Sequence, residues 1–314
     1  MEYRHLGRSG LEVSVVGIGC NNFGRRCDLD ATTAVVNASL DAGVNLFDTA
    51  DVYGPAGLSE EYLGKALGSR RQDVVIATKF ASPMGEGPMR RGGSRRYIIQ
   101  ACEDSLRRLG TDYIDLYQVH QPDGSTPIEE TLRALDDLVR AGKVRYIGHS
   151  NFTGWMTSEA AWVAKTEHLT PFISAQNNYS LIDRSVEAEL VPACNKHGVS
   201  ILPYFPLASG FLTGKYRRGE PMPEGVRLAV WPAQMANRIM TDRNWDILEG
   251  LENFAQQRGH TVLDVAIGWL ASLPHVGSVI AGATRPEQVV DNVKAGSWKL
   301  TAEELAEVDT IARR

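Results

Sequence analysis

The feature that most constrains this chain is an alternation. Eight short apolar runs rich in β-forming residues are each followed by a segment with helical period. The runs fall at 15–19 (VVGIG), 45–50 (NLFDTA), 74–79 (VVIATK), 113–119 (YIDLYQV), 144–150 (VRYIGHS), 172–176 (FISAQ), 200–205 (SILPYF) and 276–282 (VGSVIAG). They are continuously apolar, the pattern of parallel strands covered on both faces. The helical segments fall at 30–42, 59–67, 94–109, 127–141, 153–165, 183–197, 261–272 and 285–295. Eight β/α units close into a ring more naturally than they extend an open, doubly wound sheet, so the predicted fold is an α/β (β/α)₈ TIM barrel.

Three features lie outside the eight units. The opening YRHL, GRSG and LEVS read as an N-terminal β-hairpin around a glycine-bearing turn. Two extra helices are predicted at 241–257 and 301–313, the second opened by a capping box of Thr301 and Glu304. Segments 80–93 and 206–240 are rich in Gly, Pro and Arg and read as long loops, which in compact domains are usually functional. Barrels of this kind commonly exceed roughly 250 residues as one unit, so residues 1–314 are expected to form a single domain.

Composition narrows the function. A net charge of −5 gives no basic footprint for nucleic acid or an anionic membrane. Cys20, Cys27, Cys102 and Cys194 have no metal-ligand or disulfide-framework spacing, which fits a reducing cytoplasm and no metal site. The start MEYRHLGRSG lacks a signal-peptide core, and no apolar run is long enough to span a bilayer.

In a barrel the chemistry sits at the carboxyl ends of the strands. The second run ends in Asp48 with Tyr53 just beyond it, the third in Lys79, and His120 follows the fourth. Each type has a plain structural use: a helix cap, a rim aromatic, a solvated charge or a core histidine. Together at three consecutive strand ends they make a coherent set for carbonyl reduction. An ammonium at Lys79 would lower the pKa of the Tyr53 phenol, and Asp48 would hold that lysine. A neutral His120 would orient the carbonyl while Tyr53 protonates the developing alkoxide.

The motifs DTADVYG, IATKF, YQVHQPD, GHSNF, PLASGFLTGKY and GATRPEQVVDN, spread over essentially the whole chain, resemble the aldo-keto reductase family. Asp48, Tyr53, Lys79 and His120 match that family's catalytic tetrad in order. The resemblance implies NADPH bound without a Rossmann fold, and Gly17-Ile18-Gly19 indeed lacks the third glycine of that fingerprint. It further implies that Gly19, Cys20 and Asn21 flank the nicotinamide, that Ser150, Asn151 and Gln176 bond its carboxamide, and that Tyr204 stacks on its ring. Phe205 stands where the family usually has a small polar residue, which removes one expected hydrogen bond. Pro206, Leu207, Ser209, Gly210 and Lys215 match the pyrophosphate clamp. Gly282, Thr284, Arg285, Gln288 and Asn292 match the adenine and 2′-phosphate pocket. Since Gly282 stands where many members carry lysine, preference for NADPH over NADH rests on Arg285.

Phe23, Tyr53, Phe80, His120 and Trp231 are expected to wall the substrate pocket, and the partner is a small-molecule carbonyl compound. A homo-oligomer is compatible with the reading. Two other functions stay open: a cofactor-binding regulatory subunit of the kind this family includes for potassium channels, and a dehydrogenase working in the oxidative direction.

Overall fold

The computed structural model describes residues 1–223, 225–230 and 233–313, without the side chains of 227, 230, 233 and 235. Trp231 therefore lies outside the described residues. An antiparallel hairpin of β1 (Tyr3–His5) and β2 (Glu12–Ser14) precedes the barrel. The ring itself is β3 (Val16–Gly19), β4 (Leu46–Asp48), β5 (Val75–Phe80), β6 (Ile114–Val119), β7 (Val144–Ser150), β8 (Phe172–Asn178), β9 (Ser200–Tyr204) and β10 (Val279–Gly282). Every neighbouring pair is parallel and consecutive, with β10 beside β3. The last gap is bridged where Ile201 N–H donates to the His275 carbonyl and Gly277 N–H to that of Ile201.

The covering helices are α1 (Leu29–Asp41), α2 (Leu58–Leu67), α3 (Arg95–Leu109), α4 (Ile128–Arg140), α5 (Gly154–Thr166), α6 (Leu190–His197), α9 (Val262–Ser272) and α10 (Pro286–Ser297). Between α6 and α9 lie α7 (Ala233–Ile239) and α8 (Asp242–Gln256), and α11 (Ala302–Ala312) closes the chain. No helix among the described residues is long and apolar enough to cross a membrane. The Thr301–Glu304 capping box forms as expected, and a second one, Thr261 with Asp264, opens α9.

Two stretches differ from the sequence expectation. The helix expected over 183–197 begins only at Leu190, after a separate 3₁₀ turn at Ser185–Glu187. Pro192 has no N–H to give and is tolerated only in a helix's first turn, which fixes that start. The 206–240 segment is more ordered than a loop: it contains 3₁₀ turns at Ala208–Thr213 and Arg227–Val230 as well as α7.

The hairpin plugs the amino-terminal end of the barrel. Leu6 and Val13 are fully buried against Leu46, Ala77, Leu116 and Leu202 from the strands. Gly7 makes the approach possible: its φ is +60°, and a Cβ there would lie 2.3 Å from the Ile173 carbonyl oxygen. With that end sealed, ligands reach the barrel only at the carboxyl ends of its strands.

Candidate active site

Strand alternation decides which side chains reach the barrel mouth. On β5, Lys79 points inward and is fully buried, whereas its neighbours Thr78 and Phe80 face the helical layer. The Lys79 ammonium spends three donors: to Asp48 Oδ2 at 2.7 Å, to the Thr49 carbonyl at 2.8 Å and to Tyr53 Oη at 3.5 Å. Asp48, 3% exposed at the end of β4, takes two further bonds on Oδ1, from Gln118 at 3.2 Å and Gln176 at 2.7 Å. Burial alone would lower the pKa of Lys79, but the charge and hydrogen bond of Asp48 and the Tyr53 oxygen outweigh it and raise the value.

Tyr53 stands on the turn after β4, held by its N–H to the Ala50 carbonyl. Its ring meets that of His120 edge to face, centroids 5.6 Å apart. Lys79 acts on the Tyr53 phenol in the expected direction, lowering its pKa, but it does not set the net shift. Burial is the largest influence on the phenol, Lys79 only opposes it, and the net shift is upward. His120 has a buried Nδ1 with no protein partner, and burial followed by the charge of Lys79 pushes its pKa down to about 3. At neutral pH the site thus presents a protonated phenol and a neutral imidazole.

Around this centre opens a cavity of about 760 Å³, lined at the near end by Gly19, Asn21, Ser150, Asn151, Gln176 and Tyr204. That size lies within the usual range for small-molecule sites. These polar side chains hold one another. Ser150 donates to the Gln176 carbonyl, Asn151 donates to Ser150 Oγ and to the His120 carbonyl, and Tyr204 donates to Asn151 Oδ1 at 2.8 Å. Asn151, Phe205, Ala208 and Ser209 all have positive φ, a concentration of unfavourable backbone along one wall that marks a shaped site.

The far end is lined by Phe205, Pro206, Leu207, Ser209, Gly210 and Lys215 on one side. Gly282, Thr284, Arg285 and Gln288 form the other. Gln288 Oε1 accepts from both the Thr284 N–H and its hydroxyl, fixing the turn into α10. The Ser209 hydroxyl is buried without a protein partner, and Lys215 has a lowered pKa through burial and then through Arg26 and Arg285. A buried hydroxyl without a protein partner and cations without ion-pair partners among the described residues are what phosphate oxygens would satisfy, so the residues present fit a nicotinamide dinucleotide.

Five described residues expected at the site do not line this cavity; one of them, Lys79, is fully buried behind Asp48 and Tyr53. Phe23 and Phe80 are fully buried in the hydrophobic layer outside the barrel, Phe80 against Tyr117 at 4.7 Å. For Phe80 period-two alternation was the available signal, since an inward Lys79 sends its neighbour outward. Cys20 is fully buried in the same layer, and Asn292 is 3% exposed with its amide nitrogen unpartnered. Conversely Asn22, Arg26 and Gln121 line the cavity without having been singled out in the sequence. They sit on loops just beyond strands, so only closure of the ring brings them in.

Comparison with known proteins agrees with the geometry. The family model described as "Aldo/keto reductase family" matches residues 15–313. A protein of Oryza sativa subsp. japonica named as a probable voltage-gated potassium channel subunit beta is 41% identical over 94% of this chain and 91% of its own. An Escherichia coli (strain K12) protein named L-glyceraldehyde 3-phosphate reductase is 34% identical over 98% of this chain and 92% of its own. An uncharacterized oxidoreductase of Bacillus subtilis (strain 168) is 36% identical over 99% and 96%.

Proposed function

The chain belongs to the aldo/keto reductase family and is an oxidoreductase, and from that premise we propose that it reduces an aldehyde or ketone to the alcohol with NADPH, Tyr53 delivering the proton. The observation that carries the reading is the buried Lys79 ammonium, divided between Asp48, the Thr49 carbonyl and Tyr53 beside the cavity. When bound, the reduced nicotinamide supplies the hydride that reaches the carbonyl carbon.

The chain's own residues do the rest. Tyr53, like any phenol, keeps its proton at neutral pH, and burial holds its pKa above the usual value. It gives that proton up only as negative charge grows on the carbonyl oxygen, and the phenolate left behind faces Lys79. His120, neutral down to a pH of about 3, offers an N–H to the same oxygen and fixes its direction. Ser150, Asn151 and Gln176 form an uncharged polar frame for the carboxamide, and Asn151 steadies the Tyr204 ring beside it. Ser209, Lys215 and Arg285 line the cavity where they would hold the phosphates, and Arg285 would favour NADPH over NADH. All four cysteines are free and buried, in keeping with a reducing cytoplasmic setting.

A second reading has one observation in its favour, the likeness to the rice potassium channel subunit beta: a dinucleotide-binding regulatory subunit in which the same site senses cofactor rather than turning over. Oxidation of an alcohol by the same tetrad is a third. A panel of small aldehydes with NADPH separates them. The proposed function expects turnover that falls by about 10²–10⁴-fold in Tyr53→Phe while cofactor affinity changes less than about twofold. Tight cofactor binding with no turnover would favour the sensor, and turnover surviving in Tyr53→Phe would remove Tyr53 from its role.

A further inference from the structure

The far end of the cavity carries more positive charge than a plain dinucleotide needs. Arg26, Lys215 and Arg285 all line it, and among the described residues none of them makes an ion pair. Several other arginines are neutralised: Arg71 pairs with Asp115, Arg108 with Glu60, Arg184 with Glu187 and Asp309, and Arg258 with Glu304 and Glu307. The nearest acid in sequence to Arg26, Asp28, is committed as the N-cap of α1, accepting from Ala31 N–H.

Arg26 is not on a loose loop. The Asn22 carbonyl collects the N–H groups of Arg25, Arg26 and Cys27 at 3.1, 2.9 and 3.0 Å, and Gly24 N–H donates back to the Cys27 carbonyl. This knot leans on the segment after β10: Asn22 Nδ2 reaches the Ala283 carbonyl at 3.5 Å and Cys27 Sγ the Thr284 carbonyl at 3.9 Å. Thr284 and Arg285 belong to that same segment, so the backbones carrying Arg26 and Arg285 are fastened together. Lys215 lies close enough to both for their charges to depress its pKa.

A bridging diphosphate brings two negative charges, and a phosphate monoester supplies the further charge that a third cation matches. We propose that Arg26 is a phosphate-contacting residue of this cavity and sets its preference for a dinucleotide carrying a phosphate monoester besides the diphosphate. The inference rests on the dinucleotide reading above and assigns part of the cofactor choice to a loop after the first barrel strand.

The test is calorimetric titration of the parent protein, Arg26→Gln, Arg26→Lys and Arg25→Gln with NADPH and with NADH. Arg25 is as exposed as Arg26 but lies outside the cavity lining, so it controls for net charge. Arg26→Gln should weaken NADPH by about tenfold or more, the scale of one charge-assisted bond, and NADH by no more than about threefold. Arg26→Lys should recover most of the loss, Arg25→Gln should bind as the parent does, and the salt dependence of NADPH binding should flatten in Arg26→Gln. NADPH affinity within twofold of the parent in Arg26→Gln, or equal losses for both dinucleotides, would overturn the inference while leaving the dinucleotide reading intact. A parent that binds neither would overturn both.

Discussion

Two buried charge clusters sit back to back on β5, one residue apart, and they are built on opposite principles. Inside the barrel, Lys79 meets one carboxylate, Asp48, whose other oxygen is saturated by two glutamine amides. Outside it, Thr78 donates to Glu60 Oε1 while Arg108 binds Glu60 Oε2 at 2.6 Å. A second acid, Asp51, lies close by, 1% exposed, with neither carboxylate oxygen hydrogen-bonded to protein. The inner cluster balances one cation against one anion and leaves Tyr53 as its variable member. The outer one has two acids for a single guanidinium, and burial with the charge of Glu60 raises the Asp51 pKa to about 8. Catalytic groups need a surplus of fixed partners so that only one proton is free to move. A structural cluster folds with one acid protonated instead.

Removing the central cation from each side separates the two roles. Lys79→Met should cut turnover by about 10³-fold or more at matched folded fraction, because Tyr53 loses the charge that receives its phenolate. It also leaves the buried Asp48 carboxylate without its cation, a stability loss that the two glutamine donors on Asp48 only soften. Arg108→Met should act the other way, costing about 3–5 kcal/mol of stability by leaving the buried Glu60 carboxylate without its cation. Its remaining folded fraction should turn over within about threefold of the parent. Denaturant titration beside kinetics on both variants checks the pair. Equal losses of activity at matched folded fraction would mean that the outer cluster also serves the chemistry.

That difference also explains how much was legible in the sequence. Asp48, Lys79 and His120 were readable because a polar residue closing an apolar run has only one place to go in a barrel. The barrel itself followed from counting alternations, since eight parallel units have few other ways to cover both faces. Phe23 and Phe80 were misread as pocket walls because aromatics beside a catalytic motif look alike whichever face they take, and for Phe80 the alternation with Lys79 had to be applied residue by residue. Arg26 and Gln121 carried no local signal: their roles depend on which loops meet across the closed ring. The direction of the Tyr53 shift was also out of reach, because it is a contest between burial and Lys79 that only packing decides. The outer cluster was invisible for the same reason, as Asp51, Glu60 and Arg108 lie on three different segments.

The smallest expected effect tests the outer cluster's unusual stoichiometry. An acid whose folded pKa is raised, here from the ordinary 3.8 to about 8, binds more protons in the folded than in the unfolded chain between those values. The stability linked to it is therefore greatest at low pH and is lost as pH climbs from about 4 to 8. Glu60, Arg108 and Lys79 are the charged groups that act on Asp51, with the Tyr97 hydroxyl also near. Asp51→Asn keeps the shape and removes the titration. It should gain on the parent steadily over that window, by about 1–3 kcal/mol at pH 8 after allowing for relaxation of the buried site, with turnover at pH 7 within about threefold. Denaturant midpoints of both proteins at pH 5 and pH 8 are enough to decide. A constant difference between them would mean that Asp51 is ionised throughout and that Arg108 serves both acids at once, making the outer cluster a second balanced centre like the one around Lys79.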